Sequence, residues 1–130
     1  MAINLGDMRR YRGSNWESLL NAIAAAGKYV ELDLSACTIG GDSPTRFDTG
    51  DNSFSTGRDR IVALILPNTA TRRVGASGFS TFSNLRTVSG QGMTIVSGFF
   101  GCTNLESVSF PQATEIGNYA FSGSARAWRA

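Results

Sequence analysis

Self-similarity between residues 61 and 121 constrains this chain more than any other feature. Three segments align: Phe79-Ser-Thr-Phe-Ser-Asn-Leu85, Phe99-Phe-Gly-Cys-Thr-Asn-Leu105 and Phe121-Ser-Gly-Ser-Ala-Arg-Ala127. In each, the leading Phe stands three residues before Phe82, Cys102 or Ser124. In the first two, Asn-Leu opens a short run of β character, Leu85-x-x-Val88 and Leu105-x-x-Val108-x-Phe110. The same run occurs upstream as Ile61-x-x-Leu64-x-Leu66. A unit that returns about every 20 to 24 residues buries its apolar face by stacking on its neighbours, so the spacing predicts a solenoid.

The elements ahead of the repeats are legible by local chemistry. Residues 1–13 form a polar, Arg-rich stretch without periodicity and are expected to be a loose lead. Ser14-Asn-Trp-Glu17 fits a capping box, and Trp16, Leu19, Leu20 and Ile23 follow at helical spacing. An Ala-rich run then stops at Gly27, so a helix is expected over 15–26, within a capping unit of residues 14–28. A repeat array needs its apolar end covered, and the helix is read as that cover rather than as a docking helix. Tyr29-Val-Glu-Leu32-Asp-Leu34-Ser-Ala-Cys37-Thr-Ile39 matches the pattern L-x-x-L-x-L-x-x-N/C-x-L, with Tyr29 at the first Leu position. Leu32 and Leu34 then point inward, Glu31, Asp33 and Ser35 outward, and Cys37 is buried where it can help to satisfy a loop backbone group.

Residues 40–60 shift to Gly, Asp, Ser and Thr, which reads as a turn-rich excursion. The spacing of Asp42, Asp48, Asp51 and Asp59 does not match an EF-hand loop. Phe54, in a Phe-Ser-Thr-Gly that echoes Phe79-Ser-Thr-Phe, is expected to anchor the back of the first repeat. In the later repeats Pro67 and Pro111 mark the bend after each strand, and small turns lead through Val74, Ile95 and Ile116 to the Phe anchors. Gly90 stands where the other repeats carry Leu or Phe, and Met93 is expected to fill that gap. Cys37 and Cys102 fall in different layers, beyond the roughly 7 Å that a disulfide tolerates between Cα atoms, so two free thiols are expected.

These residues resemble the BspA-like, or Treponema-type, leucine-rich repeat family of bacteria. Leu105-Glu-Ser-Val108-Ser-Phe110-Pro111, continuing into Ile116-Gly117-Asn-Tyr-Ala120-Phe121-Ser-Gly123, carries the likeness best, and Phe99-Phe-Gly101-Cys102-Thr-Asn-Leu105 carries the repeat junction. The likeness covers residues 29 to 124, about four repeats, followed by a tail at 125–130. It implies an α/β-type solenoid: a short leucine-rich repeat domain over 14–130, with a parallel concave sheet, an irregular, turn-rich convex side and one N-terminal capping helix. It also implies cell-surface or secreted location and a role in adhesion or protein–protein contact.

Function is read from what the sheet presents and what the composition lacks. The outward positions of the concave sheet form two ladders, Glu31, Ala63, Thr87, Ser107 and Asp33, Ile65, Ser89, Ser109, a shallow surface suited to a protein or glycan partner. A solvated face without a ligand is the bland reading of the same residues. The final repeat has Ala127 where a new strand is due, so Phe121 and Trp128 are candidates for self-association through an uncapped end. Histidine is absent, and no nucleophile elbow, phosphate loop or metal-ligand cluster accompanies the Ser, Cys and acidic residues, which argues against an enzyme, a cofactor and a metal. Eleven of the twelve cations are Arg, scattered among ten acids, which argues against nucleic acid. No stretch approaches a membrane span of about 20 apolar residues. The start, Met-Ala-Ile-Asn-Leu-Gly-Asp, is too short and polar for a secretory signal, leaving an intracellular chain or one read after processing.

Overall fold

The computed structural model describes residues 2–9, 12–50, 56–75, 78–117 and 120–123. Helix α1 spans Asn15–Ala26, as its apolar stripe and caps dictate. The Ser14 hydroxyl accepts from the Glu17 N–H at 3.1 Å, and Glu17 Oε2 accepts from the N–H of Gly13 at 3.2 Å. Gly27 ends the helix at φ 69°, its N–H directed to the carbonyls of Ile23 and Ala24. Trp16, Leu20 and Ile23 are the buried face. No helix among the described residues is long and apolar enough to cross a membrane.

Among the described residues ten strands form three sheets, all parallel. They are β1 (Asn4–Asp7), β2 (Val30–Asp33), β3 (Thr38–Gly40), β4 (Arg46–Asp48), β5 (Ile61–Ile65), β6 (Arg72–Val74), β7 (Thr87–Ser89), β8 (Ile95–Val96), β9 (Ser107–Ser109) and β10 (Glu115–Ile116). A front sheet runs β2-β5-β7-β9, a back sheet β4-β6-β8-β10, and β1 pairs with β3 apart from both. From β4 onward the chain lays strands alternately into back and front sheet. The coarse class is α/β: one helix with parallel sheets.

The core is an aromatic column. Phe47, Phe79, Phe99 and Phe121 stack nearly parallel, with centroids 6.4, 4.3 and 5.5 Å apart in that order. Trp16 of α1 meets Phe47 edge-on at 5.3 Å, so the helix covers the first ring of the column. The segments 79–85 and 99–105 make the same turns: Phe79 N–H to the Gly98 carbonyl, Phe99 N–H to the Ala120 carbonyl, and Phe82, Cys102, Leu85 and Leu105 N–H back to the carbonyl three residues before. Met93 is fully buried and fills the space over Gly90, where a Cβ would lie 2.5 Å from its Cγ. Both cysteines are free and buried. It is Cys102, not Cys37, whose thiol is placed to serve a turn: its Sγ donates to the Phe79 carbonyl at 3.2 Å.

Three expectations are corrected. The lead is not loose over 2–9, because Asn4–Asp7 pairs with Thr38–Gly40, Leu5 and Met8 join the core, and Arg9 bridges Asp7 and Asp42 at 3.1 and 2.9 Å. The side opposite the front sheet is not irregular, because β4, β6, β8 and β10 hydrogen-bond into a regular parallel ladder. Phe47 stacks next to Phe79 in the column, and Phe54, the expected anchor of the first repeat, lies outside the described residues. Tyr29 is 60% exposed rather than inward-facing. β2 alternates without interruption, so Val30 and Leu32 take the half-buried places and Tyr29 falls outward, whereas β5 carries an extra residue, Val62, between Ile61, which faces Val30, and Ala63, which faces Glu31.

Arg58 is a further departure from what charge alone suggests. It is fully buried beside the helix, in the 3₁₀ turn Arg58–Arg60, and donates from NH1 to the Thr49 carbonyl. Thr49 in turn hydrogen-bonds Val74, so the cation ties this turn to the back sheet.

Candidate functional site

The front sheet carries the site. In a strand, side chains alternate between faces, so Leu32, Leu64, Val88 and Val108 form an inward row between two outward ones. The pairing aligns Glu31, Ala63, Thr87 and Ser107 in one outward row and Asp33, Ile65, Ser89 and Ser109 in the other. All eight expected residues therefore share one face, where they line a shallow depression of about 510 Å³.

Polarity changes along the rows. The β2 end is acidic, with Glu31 and Asp33 exposed. Hydrogen bonds from Ser35, including its N–H at 2.9 Å, hold the Asp33 carboxyl below the usual carboxylate range, so the charge is kept. On β5 the row becomes apolar, with Ala63 half-buried and Ile65 37% exposed. On β7 and β9 it ends in four hydroxyls, each able to donate and accept. Neighbouring strands stand about 4.8 Å apart, so these groups follow one another across the sheet at that spacing. No nucleophile is paired with a base on this face, and among the described residues no three metal-ligating side chains gather.

Of the self-association candidates, Phe121 is only 6% exposed and stacked on Phe99, so its ring is core and not a free surface. Trp128 and the tail at 125–130 lie outside the described residues. At that end of the sheets the exposed apolar side chain is Ile116 on β10.

A second depression, of about 440 Å³, opens at the N-terminal ends of the front strands and is lined by Tyr29, Val62, Asn84, Arg86 and Asn104. Sequence reasoning passed over it because Tyr29 was assigned to the core. The recurring Asn before Leu85 and Leu105 was the available signal.

No protein-family model, no curated protein and no solved structure matches this chain.

Proposed function

We propose that the chain is a non-enzymatic binding module of the leucine-rich repeat class, akin to BspA-like bacterial surface proteins, which grips a protein partner across the front sheet. Support for the repeat class comes from the alternate laying of front and back strands and from the identical turns around Phe79 and Phe99. The observation that carries the binding reading is the pair of in-register outward rows, graded from carboxylate through aliphatic to hydroxyl over one depression. Such a face suits a partner with a cationic group over β2 and polar groups over β9, and a glycan is the alternative occupant. The setting is the cell surface or the extracellular space.

The test is capture from a mixture of matrix and host-surface proteins. Wild type retains a partner, and a folded Asp33→Arg, Thr87→Arg, Ser107→Arg variant loses it. Equal capture by both would remove the front sheet from consideration. A second reading, end-to-end stacking, is favoured by exposed Ile116 on the outermost described back strand. It requires a mass that rises with concentration and reverts in Ile116→Lys.

A further inference from the structure

We propose that the second depression is a binding site for an acidic saccharide, a sugar that carries a carboxylate. The site is separate from the front face and does not rest on the reading above.

Its construction begins with the register of β2. That strand alternates without interruption, with Val30 and Leu32 inward and Glu31 outward, so Tyr29 falls on the outward side, and Val62, the extra residue of β5, lines the same depression as an apolar floor. The Arg60 guanidinium lies over the Tyr29 ring, 5.2 Å from its centroid, which steadies the ring and adds positive charge beside it.

Two amides are fixed at the rim. Asn84 Nδ2 donates to the Asp59 carbonyl at 2.7 Å, and Asn104 Nδ2 donates to the Ser83 carbonyl at 3.0 Å. With the nitrogen of each amide anchored in this way, its oxygen has a set direction, and a second N–H remains on the same nitrogen. Arg86 lines the same depression and is exposed, on a backbone held from both sides, its N–H to the Val62 carbonyl at 2.8 Å and its own carbonyl taking the Glu106 N–H at 2.7 Å. A guanidinium so placed can take a carboxylate through two parallel hydrogen bonds. Glu106 is next in the row and exposed, and its charge turns an anion toward the Tyr29 and Arg60 side.

An exposed ring against an apolar floor accepts the C–H face of a sugar. The paired amides suit its hydroxyls, and Arg86 suits its acid group. Few polar groups on an aromatic base are what fix a small ligand's orientation. An acidic peptide would use Arg86 but has no call on the ring and the amide pair.

The experiment is an NMR titration of the isotope-labelled chain with tetragalacturonate, run beside its neutral methyl ester and a tetraglutamate peptide. The acid sugar is expected to move the amides of Tyr29, Val62, Asn84, Arg86 and Asn104. Arg86→Gln and Tyr29→Ala each weaken it about tenfold or more, the scale of one lost charged hydrogen bond or one lost packing face, while Ser109→Ala on the front face leaves it unchanged. Both altered side chains are exposed, and spectral dispersion confirms that the variants are folded. Absence of shifts with tetragalacturonate overturns the proposal. So does equal binding of the ester or of tetraglutamate, or an Arg86→Gln variant that binds like wild type.

Discussion

Phe99 lies inside the aromatic column, with a ring stacked on each side. It stacks on Phe79 at 4.3 Å and Phe121 at 5.5 Å, and Phe110 tilts against it at 5.8 Å. Truncating it leaves a cavity between layers that are pinned by their own backbone ladders and cannot collapse. Phe99→Ala is expected to cost about 3–5 kcal/mol in urea unfolding. Its neighbour Phe100 is 41% exposed, and Phe100→Ala should cost about 1 kcal/mol or less. Comparable losses would mean that the column is not the main support. Cys102 gives a prediction in pH. Burial disfavours the thiolate and pushes the thiol from 9.0 up to about 12. Because the folded-state pKa lies above the unfolded one, the stability linked to the neutral thiol is complete below 9.0 and is lost as pH rises from there toward 12. Wild type should therefore lose stability over that window more steeply than Cys102→Ala. Native protein near pH 8 should resist iodoacetamide until it is unfolded, since the thiolate is the nucleophile. Rapid alkylation of native Cys102 would contradict its burial.

At the scale of elements, two glycines separate conformational strain from collision. Gly27 at φ 69° ends α1 with open space around a built Cβ. Gly57 at φ 75° starts the 3₁₀ turn under α1, and a Cβ there would stand 2.2 Å from the Leu20 carbonyl oxygen. Gly27→Ala is expected to cost only the left-handed backbone, about 1–2 kcal/mol. Gly57→Ala adds displacement of helix backbone against the turn that holds buried Arg58, and should lower the thermal midpoint by at least twice as much. Equal shifts would show that the turn slides freely under the helix. The same elements show why some of the fold was legible and some was not. Helix α1 has twelve residues of one period and a cap at each end. The front strands carry an in-out alternation that repeats across units, so both outward rows of the site were readable before any coordinates. The back strands Ile95–Val96 and Glu115–Ile116 are two residues long, too short for any period to register. Strand β1 offers one buried Leu in a polar stretch and finds its partner β3 some thirty residues away, where no local pattern announces it. Phe47 sits in a turn-rich segment whose composition does not announce a ring of the column. The second depression stayed hidden because Tyr29 points outward only if β2 lacks the extra residue that β5 carries at Val62, and the shared L-x-x-L spacing of the two segments does not reveal this.

The whole molecule is built unequally at its two ends. At one, α1 seats Trp16 on Phe47 at 5.3 Å, and β1–β3 adds Leu5, Met8 and Ile39 to the core. At the other, β10 has one described partner, both of its residues are exposed, and Ile116 is 60% accessible. Layers that touch chiefly their neighbours open from the end with the least burial, because only one interface is lost there. Amide exchange should therefore be slowest along β5 and β7, where Leu66 N–H bonds the Ser89 carbonyl and Gly90 N–H bonds the Ser109 carbonyl. It should be about a hundredfold faster or more at Thr114 and Gly117, bonded to Thr94 and Val96, since a local opening needs several kcal/mol less than global unfolding. Gly57→Ala acts at the covered end and on the global transition, so it should accelerate β5 and β7 while leaving Thr114 and Gly117 nearly unchanged. Uniform protection in wild type, or uniform acceleration in the variant, would show that the aromatic column couples both ends into one cooperative unit. The graded pattern would instead place the fraying at the β9–β10 end, and with it the end where a second molecule could add a layer.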